Sequence, residues 1–303
     1  TMVTEERRDD LARCDYEGST YQQSFWTAER QYEDRAERVA LRKLLPPHGR
    51  RLVEIGAGAG RLADLYLGYD EIYLVDYAHS QLEQAHAHWG TDPRFTFVQG
   101  DIYDLPFATG YFDTVVTVRV LHHVRQLQVA FDSIGRIVAG GGVYVTEFAN
   151  KRNLKAIGRY LLNRGRRGVN PFSLDPYEFV ELNIDYHPAH LLWELRQAGF
   201  EVEQELGVSF FRVPGLKSLV PAGALARLDG WLQRPLAPLR LTPSIFVRAR
   251  RSEESLEAKA PGGPWRCPAC HGVQVETGSE GLICSGCGST YPIINGIAQM
   301  RRD

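Results

Sequence analysis

The sequence predicts an α/β protein, a doubly wound and mostly parallel sheet of about seven strands, followed by a small module held by four cysteines. Three observations carry this. Short β-branched runs alternate with helical stretches from Arg51 to Arg250, a glycine-rich turn closes the first of those runs, and four of the five cysteines crowd into one C-terminal stretch. Strict alternation of the two periodicities is the mark of βαβ units around a sheet covered on both faces.

Taken in order, Tyr32, Ala36, Val39, Ala40 and Leu44 recur at helical spacing and Pro46-Pro47 stops the pattern, so an amphipathic lead-in helix is expected from Glu29 to Leu45. RLVEI is the first strand, with a helix from Arg61 to Leu67. EIYLV is followed by a helix from Ser80 to Trp89, RFTFVQ is a third strand, and FDTVVTV precedes a helix from Val129 to Ile137. GVYVTEF is the fifth strand, His187 to Ala198 a helix closed by Gly199, and EVEQELGVSFF and SIFVRAR supply the last two strands. Asn150 to Tyr186 and Arg212 to Thr242 interrupt the pattern and read as part-helical insertions on the catalytic face. Residues 1–251 form the main domain in this reading, 252–263 a polar linker ending in Pro-Gly-Gly, and 264–303 a module too small to bury a sufficient core without a staple.

The 303 residues leave room for one large and one small domain, and 44% hydrophobic with 24% charged residues exclude wholesale disorder. Lys plus Arg, at 35, nearly balances Asp plus Glu, at 37, which argues against binding nucleic acid through bulk charge. The start lacks the apolar core of a signal peptide and no stretch reaches the ~18 apolar residues of a membrane helix. A cytoplasmic protein without a transmembrane segment is expected.

Gly56, Gly58 and Gly60 fall at the exit of the first strand, where backbone N–H groups and a helix N-terminus can approach a nucleotide-like ligand. A dinucleotide fingerprint would place its third glycine at position 61, which is Arg61. Asp76 ends the second strand 20 residues past Gly56, where a carboxylate accepts from ribose hydroxyls, and Asp101 ends the third, placed to accept from an exocyclic amine. Glu54-x-Gly56-x-Gly58-x-Gly60, Asp76, Gly100-Asp101-Ile102, Phe112-Asp113 and the later GGG-VYV strand resemble class I S-adenosylmethionine-dependent methyltransferases, with a Rossmann-like fold. Leu121-His122-His123 resembles the type-11 group that includes quinone-biosynthesis methyltransferases.

The resemblance implies that the Gly56 to Gly60 turn, with Ala57, cradles the methionine part of the cofactor beside Glu54. It implies that Asp76 and the adjoining Tyr77 hold the ribose, Asp101 and the Ile102 N–H the adenine, and the backbone near Val118 the amino group. Ala139 departs from a usual proline before the glycines. Tyr32, Arg119, His122 and Glu147 are candidates for a catalytic role, and Phe25, Trp26 and Tyr32 for a lid; the alternatives are a buried aromatic stripe and, for the two histidines, one packing beneath the sheet edge and one capping a helix.

Cys267-x-x-Cys270 and Cys284-x-x-Cys287 are separated by thirteen residues, so two knuckles can bring four thiolates to one zinc, with iron or disulfides as alternatives. Gly288 suits a tight turn after the second pair, and His271 is too close to a ligand to bind the same ion. Cys267-Pro268, Leu282, Tyr291-Pro292-Ile293 and Gly296-Ile297 resemble the small zinc-ribbon proteins that activate methyltransferases acting on tRNA, rRNA and release factors, with Ala298 departing from a usual proline. The resemblance implies that this ribbon packs in cis on the methyltransferase domain.

The Asn/Asp-Pro-Pro-aromatic turn that accompanies methylation of planar amines is replaced by Val118-Arg119-Val120-Leu121, which directs expectation to an oxygen, carbon or ring-nitrogen acceptor. The Leu-His-His run also resembles enzymes that esterify a carboxymethyl group on wobble uridine. Lys151, Arg152, Lys155, Arg159, Arg164, Arg166 and Arg167 bring seven positive charges and no acidic residue just past the fifth strand, where substrates approach open sheets. The same tract reads equally as a solvated helix with Ile157, Leu161 and Leu162 packed inward, or as a membrane-surface element. RNA or a translation protein is the expected substrate, which would put the tract and the ribbon on one face. A small quinone- or metabolite-type acceptor is the alternative and would call for a closed apolar pocket lined by the two insertions; a noncatalytic scaffold stands third.

Overall fold

The computed structural model describes residues 11–19, 30–162, 169–252, 263–278 and 281–301. Phe25, Trp26, Arg164, Arg166, Arg167 and most of the linker lie outside the described residues. The lead-in helix α1 (Gln31–Leu44) buries Tyr32, Ala36, Ala40 and Leu44 on one face, and its C-cap Leu45 is extended because the next residue is a proline. Then follow β1 (Gly49–Ile55), β2 (Tyr69–Asp76), α2 (His79–Trp89), β3 (Phe95–Gln99), β4 (Phe112–Thr117), α3 (Leu127–Ile137) and β5 (Val138–Ala149). Next come α4 (Leu154–Leu162), a hairpin of β6 (Tyr177–Val180) and β7 (Asn183–Asp185), α5 (Pro188–Gln197), β8 (Phe200–Val208), α6 (Pro214–Leu219), α7 (Ala222–Gln233) and β9 (Ser244–Arg251). The ribbon contributes β10 (Val275–Thr277), β11 (Gly281–Cys284), β12 (Thr290–Ile294) and β13 (Ile297–Gln299).

Seven strands form the expected sheet in the order β3-β2-β1-β4-β5-β9-β8, parallel throughout except for β9, which runs antiparallel to both neighbours. The last four residues of β1 and of β4 are buried without alternation, as strands covered on both faces must be. Chain order reverses between β1 and β4, and a crevice opens beyond the carboxyl ends of the strands at such a point.

Two expectations need correcting. The stretch from Arg61 to Leu67 makes only a short 3₁₀ turn, Ala63–Tyr66, because the chain must enter β2 at Tyr69. The insertion 212–242 leaves the crevice: α7 packs on α1, where Gln233 Nε2 donates to the Ala36 carbonyl at 3.0 Å and Lys43 Nζ to Gln233 Oε1 at 2.9 Å.

The ribbon continues the sheet instead of forming a separate layer. β13 lies parallel to β3 in the register Ile297 to Phe97, Ala298 to Val98 and Gln299 to Gln99, giving eleven strands in all. Trp265 stacks on Phe107 with ring centres 5.7 Å apart, Ala108 N donates to the Pro264 carbonyl at 2.7 Å, and Arg266 N to the Pro106 carbonyl at 3.0 Å. Asp104 accepts from Arg266 Nη1 at 2.7 Å and lies 3.2 Å from His271 Nε2, so His271 serves this contact.

Candidate active site

The crevice is lined by Glu54, Gly56, Ala57, Gly58 and Asp76, by Tyr77, Asp101, Ile102 and Val118, and on the far side by Arg119, Val120 and His123. Gly56, Gly58 and Gly60 all take positive φ, at 74°, 53° and 71°. A Cβ on Gly56 would fall 2.3 Å from Val120 Cγ2, so this position admits no side chain. Gly60 is not among the lining residues; it backs onto Trp89, whose Nε1 donates to the Gly60 carbonyl at 3.3 Å.

Three carboxylates mark the crevice from end to end. Asp76 accepts from Gly58 N at 2.8 Å and Ala78 N at 3.0 Å, and burial raises its pKa against the pull of those N–H groups. Glu54 is 2% exposed and its Oε2 has no hydrogen-bond partner; burial pushes its carboxyl up to about 8, with the Arg61 charge opposing. Asp101 accepts from Tyr103 N at 2.9 Å and from Arg13 Nε at 2.5 Å.

Arg13 belongs to a strap over the opening, where Ala12, Cys14 and Tyr16 also line the crevice. The strap is pinned to the start of α2 by Gly18 N on Ser80 Oγ at 2.9 Å and by Glu17, which accepts from Ser80 N at 3.1 Å. No periodicity in that stretch signals such a role. Arg61 was also missed: its Nη2 and Arg119 Nε each reach Glu37, at 2.9 Å, a carboxylate 1% exposed. One buried acid thus orients two guanidinium groups beside the glycine turn. Only their convergence in space reveals this.

The catalytic candidates separate. Arg119 lines the crevice with φ of 60°, held there by its N–H on Glu147 Oε2 at 3.0 Å. Glu147 is buried, also accepts from Ser244 Oγ, and is not among the lining residues, so it braces Arg119. Tyr32 is 2% exposed and remote from the crevice: its hydroxyl donates to Asp229 at 2.5 Å and accepts from Phe211 N at 2.9 Å. It is a core residue, and neither a catalytic group nor a lid.

His123, and not His122, faces the crevice. The Leu182 carbonyl can only accept, so His123 Nδ1 carries the proton and Nε2 accepts from the Tyr16 hydroxyl at 2.9 Å. Burial lowers the pKa of both histidines. Neither caps a helix; that place is taken by His187, whose Nδ1 accepts from Ala189 N.

The four cysteines of the ribbon converge, all sulfurs lying within 4.8 Å of one another. Cys267 and Cys287 sulfurs are 3.6 Å apart, as are those of Cys270 and Cys284. Tetrahedral zinc with ~2.3 Å bonds needs sulfurs roughly 3.8 Å apart, whereas a disulfide needs ~2.05 Å, so the group fits a zinc ribbon. Gly288 turns at φ of 78° after the second pair.

The basic tract is not a uniform charged surface. Lys151 is buried and its Nζ donates to the carbonyls of Ser173 and Asp175, so it braces the insertion. Arg152 reaches the Leu239 carbonyl at 3.2 Å. Leu161 and Leu162 do not pack inward but stand exposed. The described part of the tract, from Lys151 to Arg159, follows β5, whereas the ribbon joins β3 on the opposite side of the sheet's centre.

A glycine turn after β1, a carboxylate at the end of β2 and another just past β3, on this strand order, define the class I S-adenosylmethionine-dependent methyltransferases. The methyltransferase-domain family matches residues 53–146. The demethylmenaquinone methyltransferase of Clavibacter sepedonicus is 30% identical over 205 residues, which cover 63% of this chain and 82% of that protein. The chain therefore belongs to this methyltransferase family. The malonyl-[acyl-carrier protein] O-methyltransferase of Legionella pneumophila is 32% identical over 109 residues, 35% of this chain, and the match spans only 37% of that protein's length. Among solved structures, an S-adenosylmethionine-dependent methyltransferase of Thermotoga maritima aligns with a TM-score of 0.54 at 21% identity, covering 76% of this chain and 95% of that one. A methyltransferase in complex with the Haloferax volcanii Trm112 methyltransferase activator aligns with a TM-score of 0.51 at 18% identity, covering 74% and 93%.

Proposed function

We propose that the protein transfers a methyl group from S-adenosylmethionine to an oxygen or carbon of a small quinone-type acceptor. The observation that carries the transfer is the set of three carboxylates, Glu54 and Asp101 buried and Asp76 half-buried, lining one crevice with the glycine turn. Glu54 would take the ammonium, Asp76 the ribose hydroxyls, and Asp101 with the Ile102 N–H the adenine, while Arg61 and Arg119, oriented by Glu37, would face the carboxylate. When bound, the sulfonium supplies an electrophilic methyl group and leaves as a neutral thioether, so positioning and exclusion of water are the chain's main tasks. His123 holds a neutral Nε2 toward the crevice, and once Tyr16 swings aside this atom can take the proton released by the acceptor.

The acceptor class rests on placement. Lys151 is buried and engaged by the Ser173 and Asp175 carbonyls and Arg152 by the Leu239 carbonyl, which weakens the basic tract as support for an RNA substrate. The relative named as a demethylmenaquinone methyltransferase directs the assay to quinone-type acceptors. The ribbon acts in cis as a brace, as a zinc site of four thiolates: besides its contacts with residues 104 to 108, Arg301 lies over the Tyr77 ring at 4.5 Å. It thereby supports the ribose and adenine side of the crevice.

Labelled methyl groups offered with total lipid, RNA and protein extracts should enter the lipid fraction, and Asp76→Ala should abolish both transfer and micromolar-scale cofactor binding. Label in RNA would overturn the acceptor reading, and unchanged cofactor affinity in Asp76→Ala would overturn the site.

A further inference from the structure

Helix α4 is turned the wrong way for a helix that serves only the core. Leu154, Leu161 and Leu162 share one face at spacings of seven and eight residues, yet they are 64%, 63% and 84% exposed. The protein-facing side holds Ala156, Ile157 and Tyr160, half-buried, with Tyr160 set edge-on against Phe172 at 6.1 Å. Lys155 and Arg159, both exposed, flank the leucines. Beside the helix, all four residues of β6 are exposed, among them Phe179 and Val180, together with Phe172 and Leu174. The flanks of the two are tied together: Lys151 Nζ, ahead of the helix, donates to the Ser173 and Asp175 carbonyls ahead of the hairpin, and Asn150 forms a bridge with Tyr186 just after it.

Monomeric surfaces rarely leave so many large apolar side chains together unless they meet something. The charge around them says what. From Asn150 to Leu174 the sequence carries seven basic residues and no acidic one. Of the acids that follow, Asp175 and Glu181 are exposed, Glu178 is paired with Arg125 at 2.6 Å, and Asp185 is half-buried in the field of Arg159, Arg212 and Lys151, so seven basic residues stand against four acids from Asn150 to Asp185. Nine residues of helix span only about 14 Å against the ~30 Å of a bilayer core, so α4 can lie in a membrane interface but not cross it.

We propose that the leucine face of α4 and the apolar side chains of the β6–β7 hairpin dock on an anionic lipid surface, with Lys155 and Arg159 facing the headgroups. The geometry places this face beside the crevice, since the Leu182 carbonyl, between β6 and β7, holds His123. Docking is independent of the methyl-transfer reading and is measured without cofactor.

The test is sedimentation of the full chain with vesicles of phosphatidylcholine alone or mixed with phosphatidylglycerol. The chain should bind the mixed vesicles, more weakly as salt rises, and hardly bind the neutral ones. A Leu154→Glu, Leu161→Glu, Leu162→Glu variant should lose at least about tenfold in binding, and Lys155→Glu with Arg159→Glu should remove the preference for phosphatidylglycerol. Melting temperature and zinc content should stay as in the parent, because all five side chains are exposed. Absence of vesicle binding, or binding indifferent to the leucine variant, overturns the proposal. So does a parent that is dimeric in solution and becomes monomeric in the leucine variant, since the face would then meet a second copy.

Discussion

Glu54 holds a buried carboxyl at the end of β1 where one oxygen meets no donor among the described residues. With its pKa raised to about 8, from an ordinary 4.5, the group is mostly protonated at neutral pH in the free protein. The sign of the linkage follows: the folded state binds the extra proton, so this group's contribution to stability is full below pH 4.5 and is lost as pH rises through about 8. A cation arriving beside Glu54 reverses the preference and expels the proton. Calorimetry of cofactor binding near pH 7, in two buffers of different ionisation enthalpy, should therefore record release of most of one proton, and Glu54→Gln should abolish it. That variant should also bind the cofactor more weakly while being more stable to unfolding than the parent at pH 8, by an amount on the order of a few kcal/mol. Equal proton release in parent and variant would show that Glu54 does not meet the ammonium.

Among the elements, the ribbon's docking strand has the clearest consequence. β13 is three residues long, yet Ile297 and Met300 are almost completely buried there and Trp265 closes the other side of the 104–108 loop on Phe107. Trp265→Ala should remove the stack while leaving the four sulfurs in place, so zinc content should persist and cofactor affinity should fall several-fold. Full affinity in that variant would mean the ribbon does not support the crevice. The sheet strands were legible because each is a run of five or more residues carrying β-branched or aromatic side chains between turn signals; a three-residue strand carries no such signal, and its attachment to β3 is a long-range fact. Gly56, Asp76 and Asp101 were legible because strand ends fix where they stand. The strap 11–19, the Glu37 clamp and the choice of His123 over His122 were not, because each depends on which distant side chain arrives. Helix α4 shows the limit of periodicity: Leu154, Leu161 and Leu162 reveal a stripe, but not which way it faces.

At the scale of the whole molecule, eleven strands in one sheet put the four-cysteine cluster and the crevice on one continuous hydrogen-bonded framework. The two core clusters cross the domain boundary: one joins Cys267, Cys284 and Met300 to Tyr73, Phe107 and Phe112, and the other joins Ile297 to Phe97 and Leu74. A module of about forty residues cannot hold such a contact by its own core, so its order depends on the four thiolates staying together. Loss of the metal should then free β13, expose the edge of β3 and uncover Phe107. Scanning calorimetry of the full chain should show one transition, moved down by at least about 5 °C after chelation or in Cys284→Ser. The same samples should expose new apolar surface to a fluorescent dye before the main transition begins, because β3 loses its neighbour first. Two separate transitions in the metal-loaded protein, the larger unmoved by chelation, would show that ribbon and sheet fold independently.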